Sequence, residues 1–117
     1  MENQHRKIKG YRELSQEEVD LMNRIKEKGA ELLELQAELV AMLDSSANRK
    51  LLAARESIKD NSPDQYISSV CKGTTEQCEE YIRFDQAEPF RWAQIGKTDI
   101  QTGIMALVRA VAQPSGC

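Results

Sequence analysis

Two stretches of the chain repeat apolar side chains at three- and four-residue intervals, with polar residues between them. The first holds Val19, Met22, Ile25, Leu32, Leu33, Leu39, Val40 and Leu43, with acids on the opposite side. That spacing predicts an amphipathic helix. Its start is strongly marked. Ser15 is an N-cap, Glu18 three residues later completes a capping box, and Leu14 and Val19 suit a hydrophobic staple. The helix is expected over residues 15–44. Gly29 lies within the apolar stripe and marks either a kink or a close contact.

The second stretch runs from Pro89 to Pro114. Proline suits a first helical turn, where a missing N–H costs nothing, and a later proline stops the helix. At about 1.5 Å per residue the helix between them is about 36 Å long. Ile100, Ile104, Leu107 and Val111 make a bulky apolar stripe on it, and Gly96, Gly103, Ala106 and Ala110 a stripe of small residues. Thr98, Thr102, Met105 and Arg109 form a third face that carries hydrogen-bonding groups. Glycine inside a helix costs about 1 kcal/mol against alanine, so close packing by a neighbour is the expected compensation. A chain this small cannot cover so many faces by itself, and oligomerisation is the expectation. The alternative is the core helix of a small bundle.

Residues 45–88 read as a connection rich in polar residues and breakers. Ser45-Ser46 is expected to cap a helix through Asp60, which Asn61-Ser62-Pro63-Asp64 breaks. A short helix over 64–71 ends at Lys72-Gly73, and Thr74 or Thr75 caps another over 76–85. The expected fold is all-α: an antiparallel helical hairpin of two long helices with an elaborated helical connection, assembled as a homo-oligomer. It forms one domain, with a leader (1–14), a helix (15–44), a connecting insertion (45–88) and a helix (89–114).

Composition narrows the function. With 117 residues and 40% apolar content, below the usual level of about 45–50%, the chain has material for only a thin core. No apolar run is long enough for a membrane span, and the first residues lack a secretory apolar region. Cys71, Cys78 and Cys117 show no paired spacing and read as reduced thiols. The single His5 leaves zinc without a ligand set.

Net charge is −3, unevenly spread: residues 1–12 carry +3, 13–44 carry −6, 45–88 carry −2 and 89–117 carry +2. An acidic body excludes a polymeric nucleic acid as ligand, which calls for a broad basic surface. Basic ends that converge would still suit a small anion such as a nucleotide.

No catalytic motif is present. Gly96-Lys97-Thr98 matches the end of a phosphate loop, but Arg91 stands where its first glycine belongs. One histidine supports no triad, and the carboxylates fall on solvated helix faces. The expectation is a binding protein, not an enzyme, that needs no cofactor. Phe90, Arg91 and Trp92 put rings beside a guanidinium, a pairing that stacks on bases and meets phosphate. Tyr11 and Arg12 lie on the basic leader, and Arg24, Lys26 and Lys28 are the basic cluster of the first helix. Each has a plainer reading: Trp92 as a core anchor, Arg91 as a solvated helix start, Tyr11 as packing and Lys26 as surface. Arg109, on an otherwise uncharged stretch of helix, would need a partner if buried.

Two segments resemble a known family. One is Gly10-Tyr-Arg-Glu-Leu-Ser-Gln-Glu-Glu-Val-Asp-Leu-Met-Asn-Arg-Ile-Lys26, and the other runs from Arg91-Trp-Ala-Gln-Ile-Gly-Lys-Thr to Val-Ala-Gln-Pro114. Both resemble the small helical-hairpin phage proteins that sequester nucleotide second messengers of bacterial immunity, the anti-CBASS sponge and the related Thoeris anti-defence sponge. The resemblance implies a hexamer in the infected host's cytoplasm that binds without cleaving. It puts Tyr11 and Lys26 against cyclic dinucleotides and Arg91 in a pocket for cyclic trinucleotides. Thoeris-type relatives bind cyclic ADP-ribose isomers, for which Phe90 and Arg109 are the candidates. Arg12, Trp92 and Thr98 complete the candidate ligand-binding set. A helical protein-interaction oligomer with no nucleotide ligand is the competing reading.

Overall fold

The computed structural model describes residues 12–59 and 70–115, all-helical with no strand among them. The described residues include three bounded helices: α1 over Gln16–Ser57, α2 over Glu76–Gln86 and α3 over Pro89–Ala112. The expected short helix at 64–71 lies almost wholly outside the described residues. Packing divides the chain into two compact units, Met1–Leu35 with Gly96–Cys117, and Gln36–Ile95. Both α1 and α3 contribute to each unit.

The start of α1 is the one the sequence marks. Ser15 Oγ accepts the Glu18 N–H at 3.1 Å, and Glu18 Oε1 accepts the Ser15 N–H at 2.9 Å. Together they satisfy two donors that a helix start leaves orphaned. Its end is not where the sequence places it. The helix expected to stop at residue 44 continues through Ser45-Ser46 to Ser57, 42 residues in all. The seam explains why. Val40, Leu43, Ala47, Leu51 and Ile58 are half-buried and Ala54 is fully buried, so the three-four rhythm runs on past the serines. Serine costs a helix interior less than about 0.7 kcal/mol against alanine, a small charge beside the packing that a break at residue 45 would forfeit. The helix ends where Lys59 turns left-handed, at φ 56°.

In the unit made of the two chain ends, α1 and α3 lie antiparallel, with Arg12 against Val111 and Ala112, and Gly29 against Ile104. Gly29 is a close contact, not a kink. A β-carbon there would overlap the Ile104 δ-methyl and sit 2.6 Å from its Cγ1. On α3 the half-buried seam is Ile100, Ile104, Val108 and Val111. Leu107, expected in that stripe, is 55% exposed. Residues three and four beyond Ile104 both lie near its face. Spacing cannot choose between them, and the partner helix selects Val108. On α1 the same choice buries half of Leu33 and Val40 and leaves Leu32 and Leu39 on the surface.

The other unit holds the apolar core. Ala54, Val70 and Cys78 are fully buried, with Leu51, Ile58 and Tyr81 packed around them. Thr75 caps α2 by accepting the Cys78 N–H at 3.1 Å, and its hydroxyl shares a 2.7 Å hydrogen bond with Ser57 Oγ. Ser57 in turn reaches the Ala54 carbonyl at 2.6 Å. With one proton per hydroxyl, the chain reads Thr75 to Ser57 to Ala54. Gln36 Nε2 donates to the Ala93 carbonyl at 3.0 Å, joining α1 to the start of α3. Glu88 and Gln113 both have positive φ, 51° and 47°, and both precede a proline. A residue before proline is driven out of the α region, which is why the two helices stop there.

The continuity of α1 can be tested by Ser46→Pro. Were Ser45 a cap, position 46 would be the first helical residue, where proline is welcome. In the continuous helix the substitution removes a hydrogen bond and should cost about 3 kcal/mol or more, read as a lower urea midpoint. An unchanged midpoint would contradict the single helix.

Candidate functional site

The chain-end unit carries four of the candidate residues that the structure describes, and the clearest arrangement among them is at Arg12. Its Nη2 donates to Glu18 Oε2 at 2.7 Å and to the Val111 carbonyl at 2.6 Å. Nε donates to the Ala112 carbonyl at 3.1 Å, and Nη1 to Glu18 Oε1 at 3.4 Å. Val111 and Ala112 close α3, so their carbonyls lack helical partners. The guanidinium also sits at the negative end of the α3 dipole. Glu18 accepts from Arg12 and from the Ser15 N–H, and these bonds hold its carboxyl down at about 2 from an ordinary 4.5.

Lys26, Thr98 and Arg109 are all exposed. Exposure answers the question raised by Arg109: no charge is buried, so no internal partner is required. Tyr11 lies outside the described residues. Between α1 and α3 runs a groove of about 440 Å³, with Gly29 and Ile104 on its floor and Leu21, Leu32 and Leu107 along its sides. Arg24 and Lys28 border it, whereas Lys26 does not. Gly103 lines it too, and a β-carbon at Gly103 or at Gly96 would meet nothing within 4 Å. The close packing expected to compensate those glycines is therefore not supplied by the described residues of this chain.

In the second unit, Phe90 and Arg91 share a cleft of about 250 Å³ at the joint between α2 and α3. Pro89 opens α3, and the turn at Glu88 swings the next residues past α2. Phe90 meets Phe84 edge to face, with ring centres 6.3 Å apart. The Arg91 guanidinium lies 5.0 Å from the Trp92 ring centre, within cation–π range, and 4.0 Å from Glu88. Trp92 is 60% exposed, so it is not the core anchor that an indole at a helix end suggests. Asp85 and Glu88 also line the cleft, two acids that the sequence reading did not place beside Arg91. The three-residue step from Glu88 to Arg91 was the available signal.

Nearby, Glu80 takes Arg83 at 2.7 Å and Lys50 at 2.8 Å, with Lys50 also 5.8 Å from the Phe84 ring centre. Hydrogen bonds from Arg83 first and Lys50 second lower its carboxyl to about 2. Among the described residues no group of three or more His, Cys, Asp or Glu is placed to hold a metal ion. None of the helices is long and apolar enough to cross a membrane.

A family model described as the Acb2/Tad1 hairpin domain matches residues 3–112. The chain belongs to the Acb2/Tad1 hairpin family. Among its relatives is Anti-CBASS protein 2 of Pseudomonas phage JBD67, 55% identical over 117 residues, which is all of both chains. The alignment with this relative runs through residues 45–88, so the two chains share the middle segment as well as the ends.

The two depressed carboxyls give a pH dependence. A group whose folded pKa lies below its unfolded value adds stability above the unfolded pKa and loses it as pH falls through the folded one. Glu18 and Glu80 should therefore contribute fully above an ordinary carboxylate pKa of 4.5 and lose that contribution as pH falls to about 2. Thermal melts across that window should drop less steeply for Glu18→Gln with Glu80→Gln than for wild type. Parallel curves would contradict both assignments.

Proposed function

We propose that this protein is a phage anti-defence protein that binds cyclic oligonucleotide messengers of CBASS immunity and holds them without cleaving them. The full-length relationship to Anti-CBASS protein 2 carries this reading. It favours cyclic dinucleotides, with cyclic trinucleotides as a second class, over the cyclic ADP-ribose isomers of a Thoeris-type sponge. The protein acts in the host cell cytoplasm as a homo-oligomer, for which the resemblance implies a hexamer. Tyr11 and Lys26 are the proposed dinucleotide contacts. Arg91, with Phe90 and Trp92, is the proposed trinucleotide contact, and Thr98 and Arg109 are secondary candidates.

Several features support an assembly. Met105 is 71% exposed, Leu107 55% and Leu32 48%, all on elements that also border or adjoin the apolar groove. Exposed apolar area of this kind marks an interaction surface. Pairing copies would also give Gly96 and Gly103 the close neighbour they lack. The acids beside Arg91 leave its cleft without a net positive charge in one chain, so a phosphate would be better met where other copies add cations.

Calorimetry against cyclic dinucleotides, cyclic trinucleotides and cyclic ADP-ribose isomers should show tight binding of the first. Ligand recovered by heating should be intact, and Lys26→Ala should weaken binding at least tenfold, about 1.4 kcal/mol. Silence across the three sets would refute the nucleotide reading, and altered ligand would refute sequestration. Gly103→Leu tests the assembly. In an isolated chain it would raise helix stability by up to about 1 kcal/mol. In an oligomer packed on the small face it should lower the mass seen by sedimentation while leaving helicity intact. An unchanged mass would count against an interface there.

A further inference from the structure

We infer that Asp85 selects the base at the cleft between α2 and α3, where its carboxylate accepts the paired N–H donors of a guanine in a cyclic trinucleotide. This deepens the proposed reading of Arg91 as a trinucleotide contact and rests on it.

The cleft lies wholly within the Gln36–Ile95 unit and brings three chemistries together in about 250 Å³. Phe90 supplies a ring that is 39% exposed, held edge to face against the buried Phe84. Lys50 of α1 braces Phe84 in turn, 5.8 Å from its ring centre. An exposed ring on a fixed support is a platform on which a base can stack. Arg91 supplies a guanidinium, which suits a phosphate. Asp85 and Glu88 supply carboxylates, which only accept hydrogen bonds. The volume falls short of the roughly 300–1,000 Å³ of a pocket for a whole drug-sized ligand, and suits one base of a larger ring.

The acids decide which base. With two carboxylates against one guanidinium, the part of a ligand that enters among them must offer donors. Guanine presents two N–H donors side by side on its Watson–Crick edge, and a carboxylate accepts both with its two oxygens. Adenine presents one donor beside an acceptor, and that acceptor would face a carboxylate oxygen. Unpaired bases are read in this manner, by hydrogen bonds to the edge and stacking on the face. Of the two acids, Glu88 pairs with Arg91 at 4.0 Å. Asp85 is exposed and makes no side-chain hydrogen bond or ion pair among the described residues, so its oxygens are open to a ligand.

Calorimetry of the full chain with cyclic tri-AMP and with cyclic AMP–AMP–GMP tests this. Wild type should bind the guanine-bearing ring about tenfold more tightly or better, as a bidentate pair allows. Asp85→Asn keeps the shape but exchanges one acceptor for a donor, which complements adenine. It should abolish or invert the preference, chiefly by loss of the guanine ligand, with Tm unchanged. Glu88→Gln should keep the preference, and Arg91→Ala should weaken both rings alike.

A wild type without preference, or an Asp85→Asn that shifts both rings equally, overturns the inference and leaves the site standing if Arg91→Ala still weakens both. Binding of neither ring, or of both with no effect of Arg91→Ala, refutes the reading of Arg91 itself and the inference with it.

Discussion

In the unit of the two chain ends, the packing of α1 against α3 rests on a seam of half-buried apolar side chains. Gly29 against Ile104 is its tightest point, where the missing β-carbon lets an isoleucine reach the opposing backbone. Elsewhere this seam uses half-buried valine, leucine and isoleucine; the fully buried apolar cluster found among the described residues, Ala54, Val70 and Cys78, belongs to the other unit. The half-buried stripe of α1 continues into that unit, which accounts for the length of the helix.

Much of this was legible in sequence because it is local chemistry. The capping box at Ser15 and Glu18, proline at the head of α3, the threonine cap of α2 and the stop before Pro114 each depend on a few adjacent residues. What was not legible depends on a partner. Ser45-Ser46 has the chemistry of a cap, yet the seam on either side outweighs it. Leu107 and Val108 are equally eligible by spacing until α1 chooses one. Arg12 looked like a free cation on a basic leader. Its partners are Glu18, six residues on, and the carbonyls of Val111 and Ala112, 99 and 100 residues on. Trp92 had two readings, a ligand-stacking ring or a core anchor, and it stands mostly in solvent, which removes the second within one chain.

The electrostatics follow a similar division. Of the two strongly lowered carboxyls, Glu18 takes its cation from Arg12, ahead of the helix it belongs to, and Glu80 takes Arg83 from its own helix and Lys50 from α1. Their contributions are limited by solvent, since surface ion pairs are individually weak. Their value is geometric: Arg12–Glu18 ties the residue before the helix to the cap of α1, and Lys50–Glu80 ties α1 to α2. The exposed cations Lys26 and Arg109 form no such ion pair among the described residues.

Glu88 joins two demands in a single residue. Its backbone is left-handed, a conformation that costs a residue bearing a β-carbon about 1–2 kcal/mol, and glycine would adopt it freely. Its carboxylate, meanwhile, lines the cleft beside Arg91. An engineer seeking a sturdier joint between α2 and α3 would reach first for glycine, and would thereby erase an acid from the one concavity shared by Phe90 and Arg91. Robustness and surface chemistry are coupled at that position, and neither can be adjusted alone.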